Sequence, residues 1–195
     1  MTSTDGYRRE DDGAHPPHLS EAYASTALRS PKQPLVRLPH TLTEIHGPAG
    51  GGAQLFGPAM ADLTRQHGGE PLGQRIIVAG RVRDEAGRYS FTSIRPGAYP
   101  WGNHPNAWRP AHIHLSLLGP AFATRLVTQM YFADDPLLGL DPIFNSVPTE
   151  AARQRLIAAY DHAVTEPEWA LGWHWDIVLS GAEATPFEAP MEGPQ

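Results

Sequence analysis

The sequence predicts an all-β fold: an antiparallel β-sandwich with long loops, an irregular N-terminal arm and one late helix. Short segments of alternating or continuous apolar residues recur along the chain, and turns rich in its 20 prolines and 19 glycines separate them. Only one segment, late in the chain, carries apolar residues at helical spacing. Many short strands divided by such turns are typical of a sandwich.

Composition limits the class of protein. The 195 residues are 41% hydrophobic and 18% charged, which fits one domain with a substantial core. A net charge of −6 without any basic run argues against a nucleic-acid or an anionic-membrane partner. The absence of cysteine excludes disulfides and thiolate metal sites. Because residues 1–12 are polar and no segment is apolar enough to span a bilayer, we expect no secretory signal and a cytoplasmic location.

The chain divides into two regions. Residues 1–33 are polar and lack a clear period, so they are predicted to form an arm without its own core. Residues 34–195 are predicted to form the sandwich domain. Its first part is predicted to contain a short strand at 35–38, a Gly/Pro loop at 47–57 and a helical turn at 60–69.

The alternating segments place the main strands. Residues 75–82 and 89–94 are predicted to pair as a hairpin across a turn at 84–87. Later strands are predicted at 111–118, 124–132 and 172–179. The last of these has an apolar, core-facing side made of Trp173, Trp175, Ile177 and Leu179.

One helix is predicted between the last two of these strands. Thr149 can cap its first turn. Apolar residues then follow at helical spacing, which indicates a packing helix over Ala152, Leu156, Ala159 and Ala163.

Residues with metal-binding chemistry gather between 99 and 114. His112 and His114 are two positions apart on a predicted strand, so both imidazoles point to one face. Neutral imidazole is the commonest metal ligand. Tyr99 adds a phenol, whose phenolate is a hard anionic donor suited to ferric iron, and Arg109 stands just before the histidine pair. Each residue alone is more often structural, but the combination predicts a metal site.

Several runs in this chain carry a family resemblance. They are Tyr99-Pro100-Trp101, 108–114, Arg29-Ser30-Pro31, 75–82, 128–132 and 176–179. In order and spacing these runs resemble the intradiol ring-cleavage dioxygenases, and within that family the iron-binding beta subunits that act on protocatechuate. The resemblance extends from about residue 15 to the end of the chain.

The resemblance implies a cofactor, a reaction and a set of site residues. The family holds one non-haem ferric ion, Fe(3+), and cleaves catechols with O2; for protocatechuate the product is 3-carboxy-cis,cis-muconate. Tyr99 resembles the axial tyrosine ligand, and His112 and His114 resemble the imidazole ligands. Arg109 resembles the active-site arginine that favours negative charge on the ring, so Arg109 and Tyr99 are the candidate catalytic residues.

An alpha subunit of the same fold is the implied partner. The candidate substrate-lining residues are Tyr23, Trp101, Gln129 and Ile143.

The chain departs from the family near residues 84–88. In relatives, a long segment that carries a second tyrosine ligand follows the strand ending in Gly-Arg-Val. Here that strand runs directly through a turn into Tyr89, so several dozen residues are absent. The residues after Tyr89 align it with a later strand of the family, and we do not expect Tyr89 to bind iron. The three remaining ligands predict weak iron binding, or binding of another divalent metal, and poor catechol cleavage.

Two alternative functions remain open at this point. The chain could be an inactive structural subunit of a dioxygenase hetero-oligomer, although such a role does not require Tyr99, Arg109, His112 and His114. It could also be a sandwich-type metal-binding module that holds zinc with its His-x-His pair.

Overall fold

The computed structural model describes residues 19, 30–33, 58–83, 87–102, 107–117, 126–179 and 181–187. Strands dominate this part of the chain, which confirms the all-β prediction. The strands are β1 (Arg75–Arg83), β2 (Gly87–Ile94), β3 (Tyr99–Trp101), β4 (Ala107–Arg109), β5 (His112–Leu117), β6 (Leu126–Phe132), β7 (Ile157–Tyr160), β8 (Leu171–His174) and β9 (Ile177–Val178).

The helices are short. Two α-helices, α1 (Pro142–Asn145) and α2 (Glu150–Gln154), lie between β6 and β7. The helical turn predicted at 60–69 is present as two 3₁₀ turns, Pro58–Ala61 and Leu63–Arg65. None of the helices in the described ranges is long and apolar enough to cross a membrane. The strand predicted at 35–38, the loop at 47–57 and most of the turn at 84–87 lie outside the described residues.

The main sheet is mixed. Its strands follow the order β2-β1-β8-β7-β6-β5, with β9 also paired to β1, and β3 and β4 form a separate ribbon. The predicted β1–β2 hairpin is confirmed, in antiparallel register from Arg75↔Ile94 to Val82↔Gly87. The expectation of a wholly antiparallel sheet is wrong, because β1–β8, β1–β9 and β6–β7 pair in parallel. The long β6–β7 connection, which contains α1 and α2, gives the chain the length that a parallel crossover needs.

The core lies between the β1–β8–β9 part of the sheet and the β5–β6 part. Ile76 and Val78 of β1 pack in one buried cluster with Met130 and Phe132 of β6. The rings of Phe132 and Trp173 meet edge to face with their centroids 4.9 Å apart. Two facing layers with a shared apolar interior are what the sandwich prediction requires.

The late helix is much shorter than predicted. Thr149 caps it as expected, since its side chain accepts a hydrogen bond from the Ala152 N–H, but α2 ends at Gln154. The chain then forms β7, in which Ala158 pairs with Phe132 and Ala159 with His174. Hydrogen bonding to two neighbouring strands outweighs the helical preference of the two alanines, so the helical spacing of the apolar residues was misleading.

The last predicted strand is split into β8 and β9 at Trp175 and Asp176. Its apolar side faces the core as predicted: Trp173, Trp175 and Ile177 are buried, and Leu179 packs against them. At the break, the Trp175 N–H donates to the Ala79 carbonyl, and the Trp175 backbone passes directly over Gly80. A Cβ on Gly80 would overlap the Trp175 carbonyl oxygen.

We therefore expect Gly80→Ala to destabilise the fold by about 3 kcal/mol or more, because overpacking against backbone has no flexible side chain to relieve it. Urea unfolding measures the loss. Gly97→Ala is the matched control, since a Cβ there meets no atom within 4 Å. Equal stability of the two variants would contradict this account of the crossing.

Candidate active site

The β5–β6 hairpin separates the core from the candidate site. Along β5, Ile113, Leu115 and Leu117 pack against the core cluster, so His112 and His114 lie on the opposite face. Their ring centroids are 5.0 Å apart. The prediction that the two imidazoles share one face is therefore confirmed. His112 is buried, whereas His114 is exposed.

The partner strand β6 contributes two polar side chains to the same face. In the antiparallel register, Tyr131 lies opposite His112 and Gln129 lies opposite His114. The rings of His112 and Tyr131 have centroids 5.8 Å apart. Gln129 and Tyr131 are both almost fully buried, and the Tyr131 hydroxyl donates to Oε1 of Gln129 at 2.9 Å.

Tyr99 reaches this face through the β3–β4 ribbon. Tyr99 pairs with Arg109 across the ribbon, and only Pro110 and Ala111 separate Arg109 from β5. This short link brings the Tyr99 ring to 5.8 Å from the His112 ring, centroid to centroid. Tyr99 is 40% exposed, so its phenol is accessible. The His112 ring thus lies beside the rings of both Tyr99 and His114, at centroid distances of 5.8 Å and 5.0 Å.

Arg109 is a buried charge of the site. It is 1% exposed, and its partner Asp141 is 0% exposed. Nη2 of Arg109 donates to Oδ2 of Asp141 at 2.8 Å, and Nε lies 3.3 Å from both carboxylate oxygens. The same Nη2 also donates to Oε1 of Gln129 and to the Tyr131 hydroxyl. A buried guanidinium requires such a set of acceptors, because an unpaired charge in this position would be severely destabilising.

The electrostatics of His112 favour the neutral imidazole. Nδ1 lies 2.7 Å from the Pro110 carbonyl oxygen and donates to it. Nε2 then carries the lone pair, and it accepts from Nη1 of Arg109 at 3.0 Å. Burial, reinforced by the positive charge of Arg109, lowers the pKa of His112. Burial is the largest influence on Arg109 and opposes its charge. The hydrogen bonds to Asp141, together with the electrostatic attraction of Asp141 and the neighbouring tyrosines, outweigh it and raise the pKa of the guanidinium.

Two of the four predicted substrate-lining residues, Trp101 and Gln129, lie next to Arg109, and Ile143 is hydrogen-bonded to its partner Asp141. The guanidinium carbon lies 5.8 Å from the centroid of the Trp101 ring, and Gln129 accepts from Nη2. The Ile143 N–H donates to Oδ1 of Asp141 at 3.0 Å. The fourth, Tyr23, lies outside the described residues.

Comparison with known proteins agrees with this arrangement. A family model described as "Dioxygenase" matches residues 82–181, and one described as "Protocatechuate 3,4-dioxygenase beta subunit N terminal" matches residues 7–41. The protocatechuate 3,4-dioxygenase beta chain of Burkholderia cepacia is 43% identical over 90% of this chain and 94% of its own length. The chain belongs to the intradiol ring-cleavage dioxygenase family. Members of this family are oxidoreductases, and the resemblance stated from the sequence motifs is confirmed.

Other members of the intradiol family match over shorter stretches. Hydroxyquinol 1,2-dioxygenase of a Rhizobium species is 30% identical over 49% of this chain and 36% of that protein. A solved structure, 3-chlorocatechol 1,2-dioxygenase from Rhodococcus opacus, superimposes with a TM-score of 0.40 and 18% identity over 55% of this chain and 60% of that one. The all-β assignment depends on the strands described above.

This chain is shorter than its intradiol relative in Burkholderia. The alignment of the two extends over 223 positions, which exceeds the 195 residues of this chain, so some positions of that relative have no counterpart here. At the β1–β2 hairpin, where the sequence motifs place the gap, Val82 already pairs with Gly87. The hairpin is closed across four intervening residues.

Tyr89, which comes just after the hairpin turn, packs against the core. Its ring packs against the buried cluster, and its hydroxyl donates to the Trp175 carbonyl oxygen at 2.7 Å. Burial, with the nearby charge of Asp176, raises the pKa of Tyr89. A phenol held neutral in this way is a poor candidate for a phenolate ligand, in agreement with the expectation from the sequence.

Two residues of the polar network were not foreseen. Tyr131 could have been found, because it lies two positions from Gln129 on a predicted strand and must share its face. Asp141 gives only the local signal of a helix cap before Pro142. Its pairing with Arg109, 32 positions away, depends on the tertiary fold.

The chemical types of the donor groups at this site suit an iron ion. Within the described ranges, no group of three or more His, Cys, Asp or Glu residues could hold a metal. A metal here would therefore depend on two imidazoles together with the Tyr99 phenol. Tyr99 is accessible, and Nε2 of His112 carries a lone pair that a metal would take over from the contact with Nη1 of Arg109. Imidazole suits iron as well as zinc.

We expect Arg109→Met to lower the free energy of unfolding by about 3–5 kcal/mol, because it leaves the buried Asp141 carboxylate unpaired. The double variant Arg109→Met/Asp141→Leu should regain much of that loss, since it removes both charges. Chemical denaturation of the single and double variants measures this recovery. Arg65→Met, in the exposed pair with Asp62, is the control and should change stability far less. If the double variant is no more stable than Arg109→Met, the buried pair is not the cause.

Proposed function

We propose that this chain is an iron-dependent intradiol dioxygenase subunit. It cleaves protocatechuate (3,4-dihydroxybenzoate) with O2 to 3-carboxy-cis,cis-muconate. The observation that carries the proposal is the convergence of Tyr99, His112 and His114 beside the buried charge of Arg109. The 43% identity to a relative named protocatechuate 3,4-dioxygenase beta chain supports the choice of substrate.

Three side chains are proposed to hold the cofactor. His112 would bind through Nε2, which is the nitrogen left without a proton when Nδ1 donates to Pro110. Binding there would replace the contact of Nε2 with Nη1 of Arg109. His114 and Tyr99 would complete the set. Ferric iron, when bound, supplies a Lewis acid that favours the deprotonated catechol. Tyr99, which is exposed and lies beside His112, is proposed to take up a proton from an incoming catechol hydroxyl.

Arg109 is proposed to stabilise negative charge that develops on the ring. Its guanidinium is held in advance by Asp141, Gln129 and Tyr131, so little reorganisation is needed during the reaction. Preorganised charge in a site shielded from water is often the largest contribution to catalysis. Trp101, Gln129 and Ile143 are proposed to contact the substrate, together with Tyr23.

The activity of this chain is proposed to be low. The three donors include a single anion, Tyr99, and in the intradiol family a second tyrosine adds another. With one phenolate fewer, the ferric state is less stabilised, and iron binding weakens. This deficit results from the segment missing at the β1–β2 hairpin.

A partner and a location complete the proposal. The name of the Burkholderia relative specifies a beta chain, and we propose an alpha subunit of the same fold as the partner of this chain. We propose that the assembly acts in the cytoplasm.

The proposal is tested by adding ferric iron to the purified protein and recording the visible absorption spectrum with and without protocatechuate. We expect a tyrosinate-to-iron band of reduced intensity, a shift on adding protocatechuate, and slow O2 uptake. Tyr99→Phe should abolish the band, whereas Tyr160→Phe, at an exposed tyrosine of β7, should leave it unchanged.

Other outcomes discriminate the alternatives. One zinc per chain without catechol affinity would replace the proposal with a zinc-binding module. Copurification with a partner, without any metal, would replace it with a structural subunit. A full-strength band and rapid turnover would confirm the enzyme but overturn the proposed deficit.

A further inference from the structure

We propose that Asp141 is a positioning residue, which sets the orientation of the Arg109 guanidinium and ties it to the segment that carries Ile143. The catalytic part of this role rests on the proposed function. The geometric part stands on the contacts of Asp141 alone.

Asp141 binds one particular side of the guanidinium. Nε and Nη2 of Arg109 both face its carboxylate, at 3.3 Å and 2.8 Å. This side-on pairing fixes the plane of the guanidinium and leaves Nη1 on the opposite side. Nη1 then points at Nε2 of His112, 3.0 Å away. The carboxylate therefore determines which edge of Arg109 faces His112.

Asp141 is itself held in place. Its Oδ1 accepts the Ile143 N–H at 3.0 Å and caps α1, while its Oδ2 accepts from Arg109. The side chain is completely buried, so water cannot substitute for either partner. One carboxylate thus connects the charge of Arg109 to the backbone of Ile143, a candidate substrate-lining residue.

Gln129 and Tyr131 cannot replace this contact. Both accept from Nη2 alone, and neither is charged. Without the carboxylate, Nε loses its acceptor, and only neutral groups hold Nη1 and Nη2. Loss of the carboxylate should therefore alter the orientation of Arg109 even where the other acceptors remain.

The variants separate charge from shape. Asp141→Asn retains an oxygen that can cap α1 but removes the negative charge, and Asp141→Glu restores the charge on a longer side chain. Asp161→Asn is the matched control. Asp161 also caps a short helical turn, by accepting the Ala163 N–H, and has no contact with Arg109 among its hydrogen bonds.

The first measurement uses the metal-free full-length chain labelled with ¹⁵N-arginine. In the wild type we expect one Nε–H resonance with slow solvent exchange and a through-space contact to the Trp101 ring. In Asp141→Asn its exchange should accelerate by about tenfold or more as the buried contact opens, with no change in Asp161→Asn. Absence of a protected Arg109 resonance in the wild type would overturn the proposal without any variant.

The second measurement uses the iron-loaded chain and steady-state O2 uptake. Asp141→Asn should lower kcat more than it raises KM, by about tenfold to a hundredfold in kcat, because the charge of Arg109 is required as negative charge develops on the ring. Asp141→Glu should recover part of kcat. A lower melting temperature with unchanged Arg109 exchange and unchanged kcat would make Asp141 merely structural and overturn the proposal. If the wild type neither binds iron nor consumes O2, the proposed function fails, and the arginine resonance still decides the positioning role.

Discussion

Alternation along the β5–β6 hairpin is the constraint on which both the core and the candidate site depend. One face of the hairpin places Ile113 and Met130 in the core, and the other places His112 opposite Tyr131. A slip of one residue would exchange the two faces, moving the imidazoles into the apolar interior. The apolar residues that stabilise the fold therefore also hold the histidines in register. The stability of the core and the geometry of the candidate site depend on one backbone arrangement.

The polar face of this hairpin is backed by a second apolar cluster. Tyr131 contributes its hydroxyl to the Arg109 network and its ring to a cluster with Phe144, Val147, Ala152 and Leu156. Its ring meets Phe144 edge to face, with centroids 5.1 Å apart. The segment between β6 and β7 thus shields the guanidinium from water, which strengthens its interactions with the neighbouring groups.

Local patterns predicted those parts of the molecule that depend on local geometry. Because side chains alternate between the two faces of a strand, the sequence placed His112 and His114 on one face. Thr149 marked the start of α2. Contacts between distant segments were not accessible. The β3–β4 ribbon that brings Tyr99 to Arg109 contains a proline and only three residues per strand, and β7 was hidden in a sequence with helical spacing. The partner of Arg109 could not be chosen from among the many acidic residues, because a buried ion pair carries no sequence signature beyond its two members.

The parallel pairing of β1 with β8 and β9 has a consequence for folding while the chain is being synthesised. Strand β1 gains β2 as a neighbour almost at once, but its other edge stays unpaired until residues 171–178 have emerged. Pairings between such distant segments form slowly. An open apolar strand edge is a site for association with other chains. Nascent chains that stall before Leu171 should therefore depend on chaperones that shield that edge.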